Sequence, residues 1–172
     1  MSDRDALRRR LVHHLGLKEL ARAGWLRAGV AAPESVAAHS WGVAWLVLVL
    51  APPSIDRGRA LAIAVIHDLA EVDVGDVTPY DGVSQEEKRR QEEAAIEELV
   101  GGLPGGDELR ALWLEYEDQS SPEGRFVKAC DRLDMALQAQ RYAAAQGVEV
   151  GDFIDSALAG LPAGLLRELA AP

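Results

Sequence analysis

The pair His67-Asp68 is the part of this sequence whose residue types most directly suggest chemistry. It lies in the segment IAVIHDLAEVDVGD, whose other residues mostly fit a buried helix. An imidazole and a carboxylate are costly to bury there unless a partner binds both side chains. A divalent metal ion is the simplest such partner. Glu71 follows four residues after His67 and three after Asp68, and this spacing predicts that all three side chains project from one side of a helix.

Two further residues, His39 and Asp131, could complete a metal site with this pair. His39 lies on an apolar stripe in the first turn of the preceding predicted helix, and Asp131 lies at the edge of the apolar face of a later one. Helical bundles build such sites from facing helices. Two imidazoles and two carboxylates favour a divalent ion such as Mn, Co, Fe or Zn, with Mg also compatible. The ion would lower the pKa of bound water and produce a nucleophile near neutral pH.

Each of these residues also has a plainer interpretation. A lone histidine on an apolar face is more often a satisfied core residue, and a lone aspartate is more often a helix cap or a surface charge. Asp134 fits the helical spacing as well as Asp131 does. The combination of His39, His67-Asp68 and Glu71 is therefore what favours a metal site.

The elements that must position these residues are helices. Almost every segment has helical periodicity, and none alternates as a strand does. The predicted helices cover about 5–23, 35–51, 56–74, 84–100, 107–119 and 122–145, with one or two weaker helices in 150–172. Gly24 and Gly29 bracket a predicted loop around Trp25, a second loop covers 76–83, and Ser84 with Glu87 predicts a capping box. The sequence thus predicts an all-α bundle of about six or more helices.

Length and composition predict one domain over residues 1–172, with a core of about 15–145 and a helical tail at 150–172. The net charge of −10 disfavours binding to a nucleic-acid polymer. The apolar run 43–51 is too short to cross a membrane, and no membrane association is expected. The single cysteine, Cys130, excludes an internal disulfide and favours a cytoplasmic location.

Two motifs give the sequence a familiar form. HDLAEVDVGDVTP and FVKACDRLDM, together with PESVAAHSWGVA upstream, follow the order His39, His67-Asp68, Asp131. This order resembles the HD-domain superfamily of metal-dependent phosphohydrolases. Within it, the chain is similar to the 5′-deoxynucleotidase branch, the group of HD-domain-containing protein 2 and the YfbR-type enzymes, over residues of about 15–145.

The resemblance implies a role for each matching position. Glu71 would orient or deprotonate the attacking water and, with Asp68, form the catalytic pair. The catalytic metal would be held by His39, His67, Asp68 and Asp131. The deoxynucleotide would be bound by Trp25 and Asp76 at the sugar and by Arg22 or Arg27 at the phosphate. Some relatives hold a second cation through Glu71, Asp76 and the backbone oxygen that corresponds to Val77. Relatives in this branch are commonly homodimers.

The sequence therefore predicts a metal-dependent phosphomonoesterase that acts on deoxyribonucleoside 5′-monophosphates, a small-molecule substrate. The alternatives are an HD-type hydrolase of another nucleotide (a dNTP, a cyclic nucleotide or an alarmone) and a non-catalytic nucleotide-binding module. Some residues keep plainer alternatives: Asp76 as a turn cap, Trp25 as a core residue, and Lys128 as the partner of a surface carboxylate. Trp41, Trp45 and Trp113 are predicted to be core or interface residues.

Overall fold

The computed structural model describes residues 2–172, and within them the fold is all-α, as predicted. Met1, where the predicted domain begins, lies outside the described residues. Outside the helices, the described chain contains one isolated β-bridge, between Ala21 and Ser35. The helices are α1 (Asp3–His14), α2 (Ala23–Arg27), α3 (Val36–Leu50), α4 (Arg57–Ile66), α5 (Glu71–Val74), α6 (Gln85–Val100), α7 (Gly106–Asp118), α8 (Pro122–Gln146), α9 (Gly151–Gly160) and α10 (Leu165–Ala170).

The long helix α8 is the centre of the bundle, and α3, α4, α7, α9 and α10 all contact it. Its start follows from its sequence, because Ser121 caps the Gly124 amide and Pro122 occupies the first turn. Its end coincides with Gly147 in the left-handed conformation. The main core lies between α3, α4, α7 and α8 and contains side chains such as Val47, Ile63, Trp113 and Val127.

The chain before α3 differs from the prediction of one helix over 5–23. The helix α1 ends at His14, a 3-10 turn covers Leu15–Lys18, and Trp25 lies in α2 rather than in a loop. Residues 20–22, just before α2, bond instead to the segment that leads into α3. The Arg22 amide donates to Glu34 O at 3.0 Å, and the Val36 amide donates to Leu20 O at 2.8 Å.

The predicted helix over 56–74 is also divided. It ends at Ile66, tight turns cover 67–70, and α5 follows. The ring Nδ1 of His67 donates to Ala64 O at 2.8 Å, and this is the carbonyl that a continuing α-helix would offer to the Asp68 amide. The next backbone hydrogen bonds join residues three apart, as in a 3-10 turn, and include the bond from Glu71 N to Asp68 O at 3.1 Å.

The other predicted helices agree with the structure within a few residues, and α9 and α10 are the helices expected in the tail. Ser84 caps the Glu87 amide at 3.1 Å. The prediction of a full capping box is nevertheless wrong, because the Glu87 carboxylate accepts from Arg90 and Gln91 rather than from the Ser84 amide. A short 3-10 turn interrupts the predicted loop 76–83 at Pro79–Asp81.

The tryptophans divide between core and surface. Trp113 is a core residue, as predicted, whereas Trp41 and Trp45 on α3 are 69% and 53% exposed, so a core position is wrong for both. Their rings stack with centroids 6.4 Å apart. None of the helices in residues 2–172 is long and apolar enough to cross a membrane.

Candidate metal centre

Four side chains from three parts of the bundle converge at one point. His39 comes from the first turns of α3, His67 and Asp68 from the tight turns after α4, and Asp131 from the middle of α8. His39 Nε2 lies 3.2 Å from Asp131 Oδ1 and 3.6 Å from Asp68 Oδ2. His67 Nε2 lies 3.2 Å from Asp68 Oδ2. These are the four residues that the sequence predicted as metal ligands.

Hydrogen bonds behind the rings fix which nitrogen of each histidine faces this point. His67 Nδ1 bonds to Ala64 O, and His39 Nδ1 bonds to Asp134 Oδ2 at 2.8 Å. A carbonyl or carboxylate accepts, so each Nδ1 carries the proton and each Nε2 is left as a potential metal ligand. Asp134, the alternative to Asp131 on spacing alone, therefore orients His39 from behind.

The atoms at the convergence lack hydrogen bonds within the protein. Among the described residues, the buried atoms without a hydrogen-bond partner include His39 Nε2, His67 Nε2, Asp68 Oδ2 and Glu71 Oε2. Ligand atoms of His39, His67 and Asp131 all lie within 4.8 Å of one another. Ligands held at about 2.0–2.2 Å around one ion are separated by roughly 3–4 Å. A divalent cation thus fits the donor set and its geometry.

The charges around this point act strongly on one another. Burial and Arg22 lower the pKa of His39, but the Asp131 and Asp134 carboxylates outweigh them and raise it to about 9. Burial opposes ionisation of Asp68, yet the two histidines and Arg22 bring the pKa of this carboxyl below its usual range. A bound cation would balance the negative charges of Asp68 and Asp131, which His39, His67 and Arg22 balance without it.

The second predicted cation position has a different set of contacts. Glu71, Asp76 and Val77 line the same cavity as the four ligands. Asp76 Oδ2 accepts from the Ala23 amide at 2.7 Å, so this carboxylate binds the start of α2. The Val77 carbonyl accepts from Lys88 Nζ at 3.2 Å. A second cation would compete with the Lys88 ammonium for this oxygen.

The two candidate phosphate-binding arginines are distinguished by position. Arg22 lines the cavity, and its Nη1 lies 3.6 Å from Asp68 Oδ2, while its Nε lies 3.9 Å from Asp76 Oδ2. Arg27 is half exposed and forms an ion pair with Asp81 outside the cavity. Arg22 is thus the arginine that the fold places beside the predicted metal ligands.

The cavity that opens from the ligands has a volume of about 350 Å³. One wall is Trp25, whose indole N–H donates to Glu34 and whose ring packs on Phe153 of α9 with centroids 4.3 Å apart. The backbone of Gly24 lies close to this ring, because a Cβ at that position would be 3.1 Å from a carbon of Phe153. Trp25 is therefore both a buried residue and part of the cavity wall.

Several cavity residues were not identified from the sequence. Tyr116 O–H donates to Asp131 Oδ2 at 2.6 Å. Lys128 lines the cavity, donates to Tyr116 Oη at 2.8 Å and lies 3.5 Å from Asp131 Oδ2, so the carboxylate with which it pairs belongs to a predicted metal ligand rather than to the surface. Lys88 and Phe153 also line the cavity. The only sequence signal for Lys128 is its spacing of three residues from Asp131; Tyr116 and Phe153 carry none, because their contacts depend on tertiary packing.

Comparisons with known proteins identify the family of this chain. A profile described as "HD domain" matches residues 16–160. The chain is 41% identical to the 5'-deoxynucleotidase HDDC2 of Danio rerio, over 76% of this chain and 66% of that protein. It is 41% identical to the human protein of the same name, over 73% of this chain and 63% of that protein. The chain spans slightly less than two thirds of the length of these vertebrate relatives.

Solved structures share the fold. The PH0347 protein from Pyrococcus horikoshii OT3 superimposes with a TM-score of 0.79 and 33% identity, over 94% of this chain and 92% of that one. A predicted metal-dependent phosphohydrolase from Magnetospirillum magnetotacticum MS-1 superimposes with a TM-score of 0.75 and 29% identity, over 99% and 94% of the two chains. These structures cover the tail as well as the core.

Proposed function

Since the chain belongs to the HD domain family, we propose that it is a metal-dependent phosphomonoesterase. Its substrates are deoxyribonucleoside 5′-monophosphates, and its products are the deoxynucleoside and phosphate. The observation that carries this proposal is the convergence of His39, His67, Asp68 and Asp131 beside a cavity of nucleotide dimensions. The relatives named 5'-deoxynucleotidase support the choice of substrate.

A divalent ion held by the four ligands would supply a water of lowered pKa and would attract the phosphate. The protein's own cations add to this attraction, because Arg22, Lys88 and Lys128 all line the cavity. Such local positive charge is necessary in a chain of net charge −10, since the substrate is a dianion near neutral pH. Arg22 is the cation assigned to the phosphate oxygens, because it lies beside Asp68.

Glu71 is assigned to the attacking water. It lines the cavity three residues after Asp68, and its Oε2 is among the buried atoms of residues 2–172 that have no hydrogen-bond partner. Burial and the neighbouring carboxylates Asp68 and Asp76 raise the pKa of Glu71, as a general base requires. The carboxylate orients the water and accepts its proton during in-line attack on phosphorus.

The sugar lies between Trp25 and Asp76 in this proposal, because both line the cavity next to Arg22. Asp76 is held by the Ala23 amide, so its position is fixed relative to α2. A fixed carboxylate and an aromatic wall close to the ribose 2′ position would disfavour the additional hydroxyl of a ribonucleotide. A single cation is proposed here, since Lys88 occupies the Val77 carbonyl.

The test is a substrate panel with Mn²⁺ or Co²⁺ and the isosteric variant Asp68→Asn. Phosphate release from dAMP, dGMP, dCMP and dTMP is expected, with AMP hydrolysed much more slowly, and Asp68→Asn should lose at least 100-fold in kcat/KM. Equal turnover of AMP would remove the deoxy selectivity. Release of pyrophosphate or triphosphate from nucleotides would identify another HD-type hydrolase, and nucleotide binding without turnover would identify a non-catalytic module.

We further propose that the chain forms a homodimer through the exposed face of α3. Trp41, Trp45, Leu48 and Val49 follow helical spacing there and are each 46–69% exposed. Exposed apolar stripes of this kind mark interaction surfaces, and a two-fold axis would bury the stacked tryptophans of both copies against each other. Sedimentation of the wild type and of Trp41→Glu tests this, because the variant should be monomeric.

Two broader predictions are retained as proposals. A single domain over residues 1–172 is supported by the packing of Ala157, Leu161 and Ala170 of the tail against Leu133 and Ala136 of α8. A cytoplasmic location is supported only by the single, buried Cys130.

A further inference from the structure

A chain of polar contacts leads away from the candidate metal centre on the side of α7. Lys128 Nζ lies 2.8 Å from Tyr116 Oη, and Tyr116 Oη lies 2.6 Å from Asp131 Oδ2. The three residues join the last turn of α7 to the middle of α8. Tyr116 is 3% exposed, and its ring packs on the His67 ring with centroids 4.9 Å apart.

The direction of this chain is fixed by chemistry. A lysine ammonium only donates hydrogen bonds, so Tyr116 Oη accepts from Lys128. The phenolic proton is then directed at Asp131, whose carboxylate only accepts. Asp131 Oδ2 is therefore occupied by the phenol at 2.6 Å, and Lys128 Nζ lies 3.5 Å from the same oxygen. The other oxygen, Oδ1, is the one that lies 3.2 Å from His39 Nε2 at the convergence point.

We propose that Tyr116 is a positioning residue that makes Asp131 a single-oxygen ligand of the metal. The proposal rests on the function proposed above, because it presupposes a cation held by the four ligands. By holding Oδ2, the phenol prevents the carboxylate from turning both oxygens towards the ion. Coordination positions then stay open for water and for a phosphate oxygen, as hydrolytic metal sites require. Contacts of this kind orient ligands and typically alter metal affinity by about 10- to 100-fold when removed.

The variant Tyr116→Phe removes the hydroxyl and keeps the ring against His67. Tyr142→Phe is a matched control: Tyr142 is also buried, at 7% exposed, and its hydroxyl accepts from the Glu34 amide at 2.8 Å, away from Asp131. Tyr116→Phe loses two hydrogen bonds and Tyr142→Phe loses one, so a merely structural effect would lower the stability of both variants and would not act on the metal alone. Only a positioning role predicts a difference at the metal.

The readouts are the dissociation constant of Co²⁺, measured by competition with a chelator, and the visible absorption spectrum of the Co²⁺-loaded protein, both without substrate. We expect Tyr116→Phe to bind Co²⁺ about 10- to 100-fold more weakly and to show an altered spectrum, because the carboxylate is free to change its mode of binding. Tyr142→Phe should match the wild type in both.

The outcomes separate the two proposals. If the wild type binds Co²⁺ through Asp68, and Tyr116→Phe binds it as tightly or more tightly with the same spectrum, the role of Tyr116 is overturned and the proposed function stands. If both tyrosine variants weaken binding equally, the effect is structural and the positioning role is overturned. If the wild type binds no Co²⁺, both proposals are wrong.

Discussion

At the scale of single residues, the position of each arginine relative to the predicted metal ligands determines whether it can contact the phosphate. Arg22 lies close enough to Asp68 to reach a phosphate oxygen beside the metal, whereas the Arg27 guanidinium is committed to Asp81. A charge-assisted hydrogen bond of this kind contributes about 1.5–3 kcal/mol. The two arginines therefore offer a matched pair of substitutions.

Arg22→Met is expected to lower kcat/KM for a deoxynucleoside monophosphate by about 10- to 100-fold, because the phosphate loses that contact. Arg27→Met should change it less than twofold. Steady-state kinetics with dAMP at saturating metal measures both. A larger effect of Arg27→Met would reverse the assignment.

Residue identity and order were sufficient to predict four side chains that converge at one point, but not the groups that hold them. His39, His67, Asp68 and Asp131 are residue types that bind divalent metals, and the motif order indicates which helices supply them. Tyr116 and Asp134 are ordinary residue types for a helix. Their roles depend on contacts with Asp131 and His39 that only the tertiary packing creates.

At the scale of elements, the tight turns after α4 determine how the site is built. A regular helix would separate the side chains of His67 and Asp68 by about 100° around its axis. The structure instead brings His67 Nε2 and Asp68 Oδ2 within 3.2 Å. The sequence could not predict this break in the helix, because neither glycine nor proline occurs between Gly58 and Gly75. The helix ends because the His67 ring takes the Ala64 carbonyl, which is a side-chain effect.

The same helix α4 is tied to α7 at its other end. Arg59 Nε donates to both oxygens of Glu115, at 3.1 and 3.0 Å, Arg59 Nη2 donates to Oε1, and Ser121 adds a fourth bond. The bond from Arg59 lowers the pKa of Glu115 below its usual range. A lowered folded pKa stabilises the protein above the unfolded value, about 4.3, and this stabilisation is lost as the pH falls through the folded value.

Glu115→Gln should therefore lower the Tm at pH 7 by an amount that corresponds to at most about 1 kcal/mol, since the pair is partly exposed. The difference from the wild type should shrink at pH 3.5. Thermal melts at both pH values test this, with Glu149→Gln as a control, because Glu149 is an exposed residue of the loop after α8. A difference that is the same at both pH values would contradict the assignment.

At the scale of the whole molecule, the bundle encloses a point that is rich in charge. The fold class could be predicted because helical periodicity and caps are local signals. Ser121 and Pro122, for example, mark the start of α8, and Gly147 marks its end. The closure of the cavity by α9 could not be predicted, because it depends on the contact between Trp25 and Phe153, which are more than a hundred residues apart in the sequence. The tail therefore belongs to the site as well as to the core.

His39, His67, Glu71 and the Oδ2 atom of Asp68 are buried together only in the folded chain, so metal binding to them would also stabilise the fold. An ion that binds only the folded chain stabilises it by about 2.7 kcal/mol when free metal is 100-fold above its Kd. For a chain of this size we expect the Tm to rise by roughly 5–10 °C with Mn²⁺ and to return to its starting value with EDTA. Calorimetry of the wild type and of Asp68→Asn measures this shift. The variant should show little of it, because Asp68 supplies one of the four ligands, and an equal shift in both proteins would mean that the ion binds elsewhere.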